Sequence, residues 1–126
     1  MKINRLILLF VTIALISFTA CNTVSSKKGT ITHTVFFKLK HPQGSEAEKV
    51  FLEKAVALKS ISTVMKMTCV KEIGKKNDFD WGLTMQFKNQ TDYDTYSNHP
   101  DHVTFVENVW KKEVADFMEI DYIDAP

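Results

Sequence analysis

Between positions 31 and 40 the chain reads Ile-Thr-His-Thr-Val-Phe-Phe-Lys-Leu-Lys, and it breaks at His41-Pro42-Gln43-Gly44. Alternation at period two, enriched in β-branched and aromatic residues, predicts a strand over Ile31–Lys40 with His33, Val35, Phe37 and Leu39 on one face. Ser45 with Glu48 three residues on has the form of a capping box, and Val50, Phe51, Ala55 and Leu58 follow on one side of a helix to about Ser60. Val64–Ile73 alternates again, with Met65, Met67 and Cys69 on one face, and Gly74–Asp78 is a polar turn. A third strand is predicted over Phe79–Lys88, aligning Trp81, Leu83, Met85 and Phe87.

Two helices and a last strand complete the pattern. A proline cannot continue a helix and pushes its predecessor out of helical geometry, so a short helix over Tyr93–Asn98 ends at His99-Pro100. Pro100 suits the first turn of the next helix, whose buried face is predicted to be Val103, Val106, Val109 and Trp110. Ala115–Ile123 is the fourth strand, with Phe117 and Glu119 on one face and Met118, Ile120 and Tyr122 on the other. This order predicts an α+β, ferredoxin-like split βαβ arrangement, a four-stranded antiparallel sheet with helices on one face. The uncovered face carries Phe36, Val70, Met118, Ile120 and Tyr122 among Thr34, Thr68, Thr84 and Gln86, more apolar surface than a lone domain exposes. A second copy of the sheet is expected to bury it, making a homodimer.

The first twenty residues stand apart from this domain. Lys2 and Arg5 precede an apolar run, Leu6–Phe18, too short to span a bilayer comfortably, which is the layout of a secretory signal over Met1–Ala20. Its end, Ser17-Phe18-Thr19-Ala20-Cys21, resembles a bacterial lipoprotein signal, with Phe18 where leucine is commoner, and implies lipidation of Cys21. Residues 21–29 then read as a polar tether, and 30–126 as one domain. Asn22, in place of an aspartate after the lipidated cysteine, favours the outer membrane. The expected location is the periplasmic or outer-membrane side of a bacterial envelope, held to the membrane by the lipid.

Charge and cysteine content narrow the classes further. Removing Met1–Ala20 takes Lys2 and Arg5 from the 16 Lys+Arg, leaving 14 against 15 Asp+Glu, a balance that suggests no nucleic-acid partner. With Cys21 committed to lipid, Cys69 is alone and no internal disulfide can form. No phosphate-binding glycine loop, serine-nucleophile motif or redox cysteine pair is present, and no cofactor is expected.

Candidate chemistry gathers in Thr91–His102, Thr-Asp-Tyr-Asp-Thr-Tyr-Ser-Asn-His-Pro-Asp-His, where two tyrosines and two of the four histidines flank the helix break. His102 in a first helical turn can face inward beside Tyr96, giving two proton-active groups to one small cavity. The same residues also fit a plain helix–helix corner, with His102 bonded to a carbonyl and Tyr96 filling core. A metal site built from His33, His102 and Glu119 is a third arrangement, although their spacing is scattered and no thiolate cluster accompanies them.

Three ordered landmarks carry a family resemblance: His-x-Val-x-Phe-x-Leu over His33–Leu39, Tyr-x-x-His-Pro-x-His over Tyr96–His102, and Ile-Asp-Tyr over Ile120–Tyr122. Together they resemble the stress-responsive dimeric α/β-barrel domain across nearly all of the mature chain. That resemblance implies two ferredoxin-like sheets paired into one barrel, with the helices outside. A plant member that cyclises polyketides without a cofactor has its catalytic tyrosine and histidine at the first and last positions of the middle landmark, which implies catalytic roles for Tyr96 and His102. The family's cavity between helices and sheet implies a ligand-binding lining of His33, Val35, Phe37, Phe51, Leu52 and Leu83. Ala55 and Trp81 depart from that member, which has a tyrosine and a histidine there, so its substrate does not carry over. Two classes therefore stay open: a lipid-anchored domain that binds a small apolar ligand or has a merely structural cavity, and a cofactor-free cyclase, isomerase or lyase.

Overall fold

A computed structural model describes residues 29–125 of the chain. The expected secretory signal Met1–Ala20, the expected lipidation site Cys21 and most of the expected tether, up to Lys28, lie outside the described residues. No helix of the described residues is long and apolar enough to cross a membrane.

The predicted alternation is realised as β1 (Ile31–Leu39), β2 (Lys66–Lys71), β3 (Trp81–Phe87) and β4 (Val114–Tyr122). They form one antiparallel sheet in the order β2-β3-β1-β4, so β1 is paired on both edges. Helix α1 spans Glu46–Ala57 and tightens into a three-ten turn, Leu58–Ser60. Helix α2 (Gln90–Ser97), α3 (Pro100–Phe105), a π-helical turn (Val106–Trp110) and a short α4 (Lys111–Glu113) lead into β4. The ferredoxin-like fold with helices on one sheet face is thus as expected.

The capping chemistry explains where the helices start. Ser45 accepts from the Glu48 amide at 3.2 Å, the first half of a capping box. Glu48 does not complete it. Its buried carboxylate accepts instead from the Gly44 amide at 2.6 Å and from the Trp81 indole at 2.9 Å, tying the β1–α1 turn to the start of β3. Gly44 has a positive φ of 76°, which L side chains rarely adopt, so a glycine suits this turn. Helix α2 begins three residues before the expected Tyr93, because Asn89 is its N-cap and accepts from the Asp92 amide at 2.9 Å. His99 caps α3 through Nδ1, which accepts from the Asp101 amide, and Pro100 takes the first turn.

The core is an aromatic cluster between helices and sheet. Phe37 and Phe51 are fully buried, with ring centroids 5.6 Å apart, and Trp110 packs on both, at 5.2 and 6.0 Å. Such tilted pairs add to the apolar burial each ring already provides. The second helical region does not keep the phase extrapolated from the sequence. Val103 is exposed and Phe105 is buried in its place. The π turn inserts one extra residue per turn, so Phe105 and Trp110, five apart, both reach the core with centroids 6.3 Å apart. A period of 3.6 cannot place both there.

Three other expected positions move. Val50 and Met65 are exposed. Strand β2 is shorter than Val64–Ile73, because its ladder ends where Lys71 meets Trp81, and Ile73 beyond that ladder lies almost wholly in solvent. On the face away from the helices, Val70, Met118, Ile120 and Tyr122 are exposed as the alternation predicts. Gly82 belongs to this face: a Cβ there would stand 2.9 Å from the Phe36 ring and 3.0 Å from Val70.

Candidate functional site

The helix-facing row of β1 does two jobs. Toward its end Phe37 and Leu39 are core, while His33 and Val35 border a cavity of about 350 Å³. Beside them stand Leu83 and Met85 from β3, Phe117 and Glu119 from β4, and Tyr93, Tyr96 and Ser97 from α2. Leu58, His102, Phe105, Val106, Trp110 and Lys111 close the helical side. The lining divides into an apolar part and a part rich in ionisable groups.

Of the eight residues expected here, His33, Val35, Leu83, Tyr96 and His102 come together. Phe37 and Phe51 do not line the cavity, because Trp110, carried inward by the π turn, packs on both and lines it instead. Leu52 faces a shallow open groove along α1, with Val56 and Trp81. That groove is roomier, about 540 Å³, but it gathers no cluster of tyrosines and histidines. Trp81 donates to Glu48, and Ala55 is fully buried on the core-facing side of α1.

Tyr96 and His102 meet across the helix break, with ring centroids 4.4 Å apart. The break makes this possible: His99-Pro100 turns the chain, and α3 brings its first turn back against the last turn of α2. His102 Nδ1 lies 3.0 Å from the Ser97 carbonyl, which can only accept, so Nδ1 carries the proton and Nε2 is bare. Burial lowers the His102 pKa below the ordinary imidazole value, against the opposing effect of that carbonyl. Burial, with a smaller contribution from neighbouring Tyr93 and Glu119, pushes the Tyr96 hydroxyl upward, so it stays protonated. The pair is a neutral acceptor beside a hydroxyl donor.

A second group was not foreseen. Asp121 is the cross-strand partner of His33, and its carboxylate accepts from His33 Nδ1 at 2.7 Å and from the Tyr93 hydroxyl at 2.9 Å. Tyr93 is pushed up to about 12, by burial first and then by the bond and charge of Asp121. The parity that put Phe117 and Glu119 on the helix-facing side of β4 extends to Asp121, and Tyr93 precedes Tyr96 by one helical turn. Those were the available signals. The scattered set His33, His102 and Glu119, weighed as a third arrangement, does not cluster as such. Among the described residues His33, Glu119 and Asp121 are the groups whose ligand atoms lie within 4.8 Å of one another, and His33 Nδ1 is already bonded to Asp121.

A four-stranded antiparallel sheet covered by helices on one face, with a tyrosine–histidine cavity between the layers, defines a ferredoxin-like α+β domain. Residues 31–124 match the Stress responsive A/B Barrel Domain, and the chain belongs to that family. Among solved structures it is similar to a Dabb-family protein with a ferredoxin-like fold from Mesorhizobium loti, at 42% identity and a TM-score of 0.77 over 79% of this chain and 100% of that one. A dimeric protein of unknown function from Bacteroides fragilis is similar at 24% identity and a TM-score of 0.61, over 77% of this chain and 98% of that one. The hydroxynitrile lyase of Passiflora edulis shares the fold at 13% identity and a TM-score of 0.69, over 78% and 95%. No curated protein sequence matches the chain.

The lowered His102 pKa makes a prediction about stability. Between the folded value and the ordinary value of ~6.5, the unfolded chain binds the proton more readily than the folded one, so stability rises with pH across that window. The His102 contribution is complete above ~6.5 and is lost as pH falls through the window. Following the His102 ring signals by NMR, alongside thermal unfolding of the wild type and His102→Gln, checks this. His102 titrating above free imidazole would contradict it.

Proposed function

We propose that this chain is a lipid-anchored, homodimeric binding domain whose cavity holds a small, largely apolar molecule with a polar head, without a cofactor. The observation that carries the reading is a set of polar atoms in the cavity that have no protein partner. The Tyr96 hydroxyl and the His102 Nε2 make no hydrogen bond to the described residues, although Tyr96 is only 3% exposed. The one fully enclosed side-chain polar atom left unpaired among those residues is Thr63 Oγ1, so the tyrosine and histidine atoms are open to the cavity. Open to the cavity, this donor and acceptor are free to take a ligand head in place of water. The surrounding Leu58, Leu83, Met85, Phe105 and Trp110 suit an apolar body, and about 350 Å³ is near the lower end of the roughly 300–1,000 Å³ typical of ligand pockets.

One observation favours catalysis as a second reading. The bond from His102 Nδ1–H to the Ser97 carbonyl orients the ring and leaves a neutral Nε2 beside the Tyr96 hydroxyl. This is the arrangement of a general base next to a group that stabilises developing negative charge, as a cofactor-free cyclase, isomerase or lyase requires. Native mass spectrometry of protein purified from its own envelope, followed by affinity and turnover measurements on the recovered molecule, separates the two. A carried ligand binds His102→Ala nearly as well as wild type, because buried apolar area supplies most of its affinity. A substrate loses turnover in His102→Ala, and Tyr96→Phe slows it by about 10²-fold. Binding abolished by filling the cavity with Leu83→Trp is expected on both readings; full retention would sink both.

The dimer is supported by the exposed row Val70, Met118, Ile120 and Tyr122 and by dimeric relatives of the same fold. Ile120→Glu exchanges an apolar contact for a stranded carboxylate, a cost on the order of a few kcal/mol at the interface. Sedimentation at micromolar concentration is expected to show a dimer for the wild type and a monomer for Ile120→Glu, and a monomeric wild type refutes the assembly. The anchor is supported by Phe18-Thr19-Ala20-Cys21 directly after the apolar run. Metabolic fatty-acid labelling is expected in wild type and absent in Cys21→Ser; an unlabelled wild type rules the anchor out.

A further inference from the structure

We infer that Asp121 is a positioning residue, which with Tyr93 fixes His33 as a second imidazole presenting a bare Nε2 to the cavity. The argument begins with burial. The His33 side chain is about nine-tenths buried, so the partners the protein gives it weigh heavily in where its ring proton sits. Its Nδ1 lies 2.7 Å from Asp121 Oδ1, and an ionised carboxylate accepts only, so the proton in that bond belongs to Nδ1. Asp121 is itself held from two sides. It sits opposite His33 in the β1–β4 ladder, and the Tyr93 hydroxyl donates to its other oxygen at 2.9 Å. The His33 ring is then confined between Tyr93 and Tyr96, at centroid distances of 5.7 and 6.5 Å. With Nδ1 spent, Nε2 at the far end of the ring has no partner among the described residues, yet it is not fully enclosed.

The consequence deepens the cavity reading and rests on it. Two histidines from different elements, His33 on β1 and His102 on α3, reach the same result by different means, one through a carboxylate and one through a backbone carbonyl. Each offers an acceptor nitrogen, and Tyr96, whose ring centroid lies 6.5 Å from that of His33 and 4.4 Å from that of His102, offers a hydroxyl donor. The polar end of the site is therefore a two-acceptor, one-donor surface, which suits a ligand head carrying two hydrogen-bond donors and one acceptor. Asp121 touches no ligand in this scheme and acts through His33.

The tautomer is measurable without knowing the ligand. The full chain in detergent micelles, labelled with ¹⁵N in its four histidines, gives a spectrum sparse enough for each ring to be assigned by single substitution. Once the pH is high enough that the His33 signals no longer move, so that the ring is neutral, His33 is expected to show a proton on Nδ1 and none on Nε2. In Asp121→Ala the Nδ1 proton is expected to be lost and to appear on Nε2, while His102, held by Ser97, keeps its own pattern. A His33 proton on Nε2 in the wild type overturns the inference, as does an Nδ1 proton that survives in Asp121→Ala. The wild-type spectrum decides the matter by itself if that variant does not fold. An empty cavity in the ligand experiments would sink the binding reading while leaving this tautomer result standing.

Discussion

Strand β1 is hydrogen-bonded on both edges, and this double pairing is the constraint on which the domain depends. A strand in that position has no free backbone groups and no freedom to slip by one residue, because a slip would turn His33, Val35, Phe37 and Leu39 away from the helices. The same row supplies the heart of the core at one end and a cavity wall at the other. Its neighbours then acquire fixed opposites, Met85 and Asp121 on either side of His33, Leu83 and Glu119 on either side of Val35. The position of Asp121 beside His33 thus follows from the ladder that holds the fold together.

The helical layer adds a local departure from regularity that the site uses. Between Phe105 and Trp110 the π turn shifts the helix by one residue, and Trp110 reaches inward to cover Phe37 and Phe51. The family resemblance implied that Phe37 and Phe51 border the cavity, and Trp110 stands there instead. Tyr96, Ser97 and His102 converge on the same cavity from the helix break.

Membership in the stress-responsive A/B barrel family accounts for the architecture and leaves the chemistry to individual residues. The fold is shared with a hydroxynitrile lyase and with dimeric proteins of unknown function alike. In this chain Trp81 donates to a buried glutamate and Ala55 is fully buried in the core. In this cavity both imidazoles, His33 and His102, have their Nδ1 atoms occupied, and the Tyr96 ring neighbours both.

The amino-acid sequence alone determined the four strands, the antiparallel ferredoxin-like order and the two faces of the sheet, because period-two alternation and turn residues are local signals with a direct geometric meaning. It allowed Tyr96 and His102 to meet at the proline corner while leaving open a plain corner with His102 on a carbonyl and Tyr96 in the core, and the structure has those features together: the rings meet, His102 is bonded to Ser97 and Tyr96 is buried. The start of α2 was legible only through Asn89, a cap that competes with several neighbouring polar residues for the same role. Tertiary structure decided the rest. Phe105 rather than Val103 is the residue α3 buries, and Trp110, in a π turn that no 3.6-residue period signals, covers Phe37 and Phe51. The carboxylate on His33 comes from a residue 88 positions away. Its parity could be read along β4, but its register against β1 was fixed only when the two strands paired.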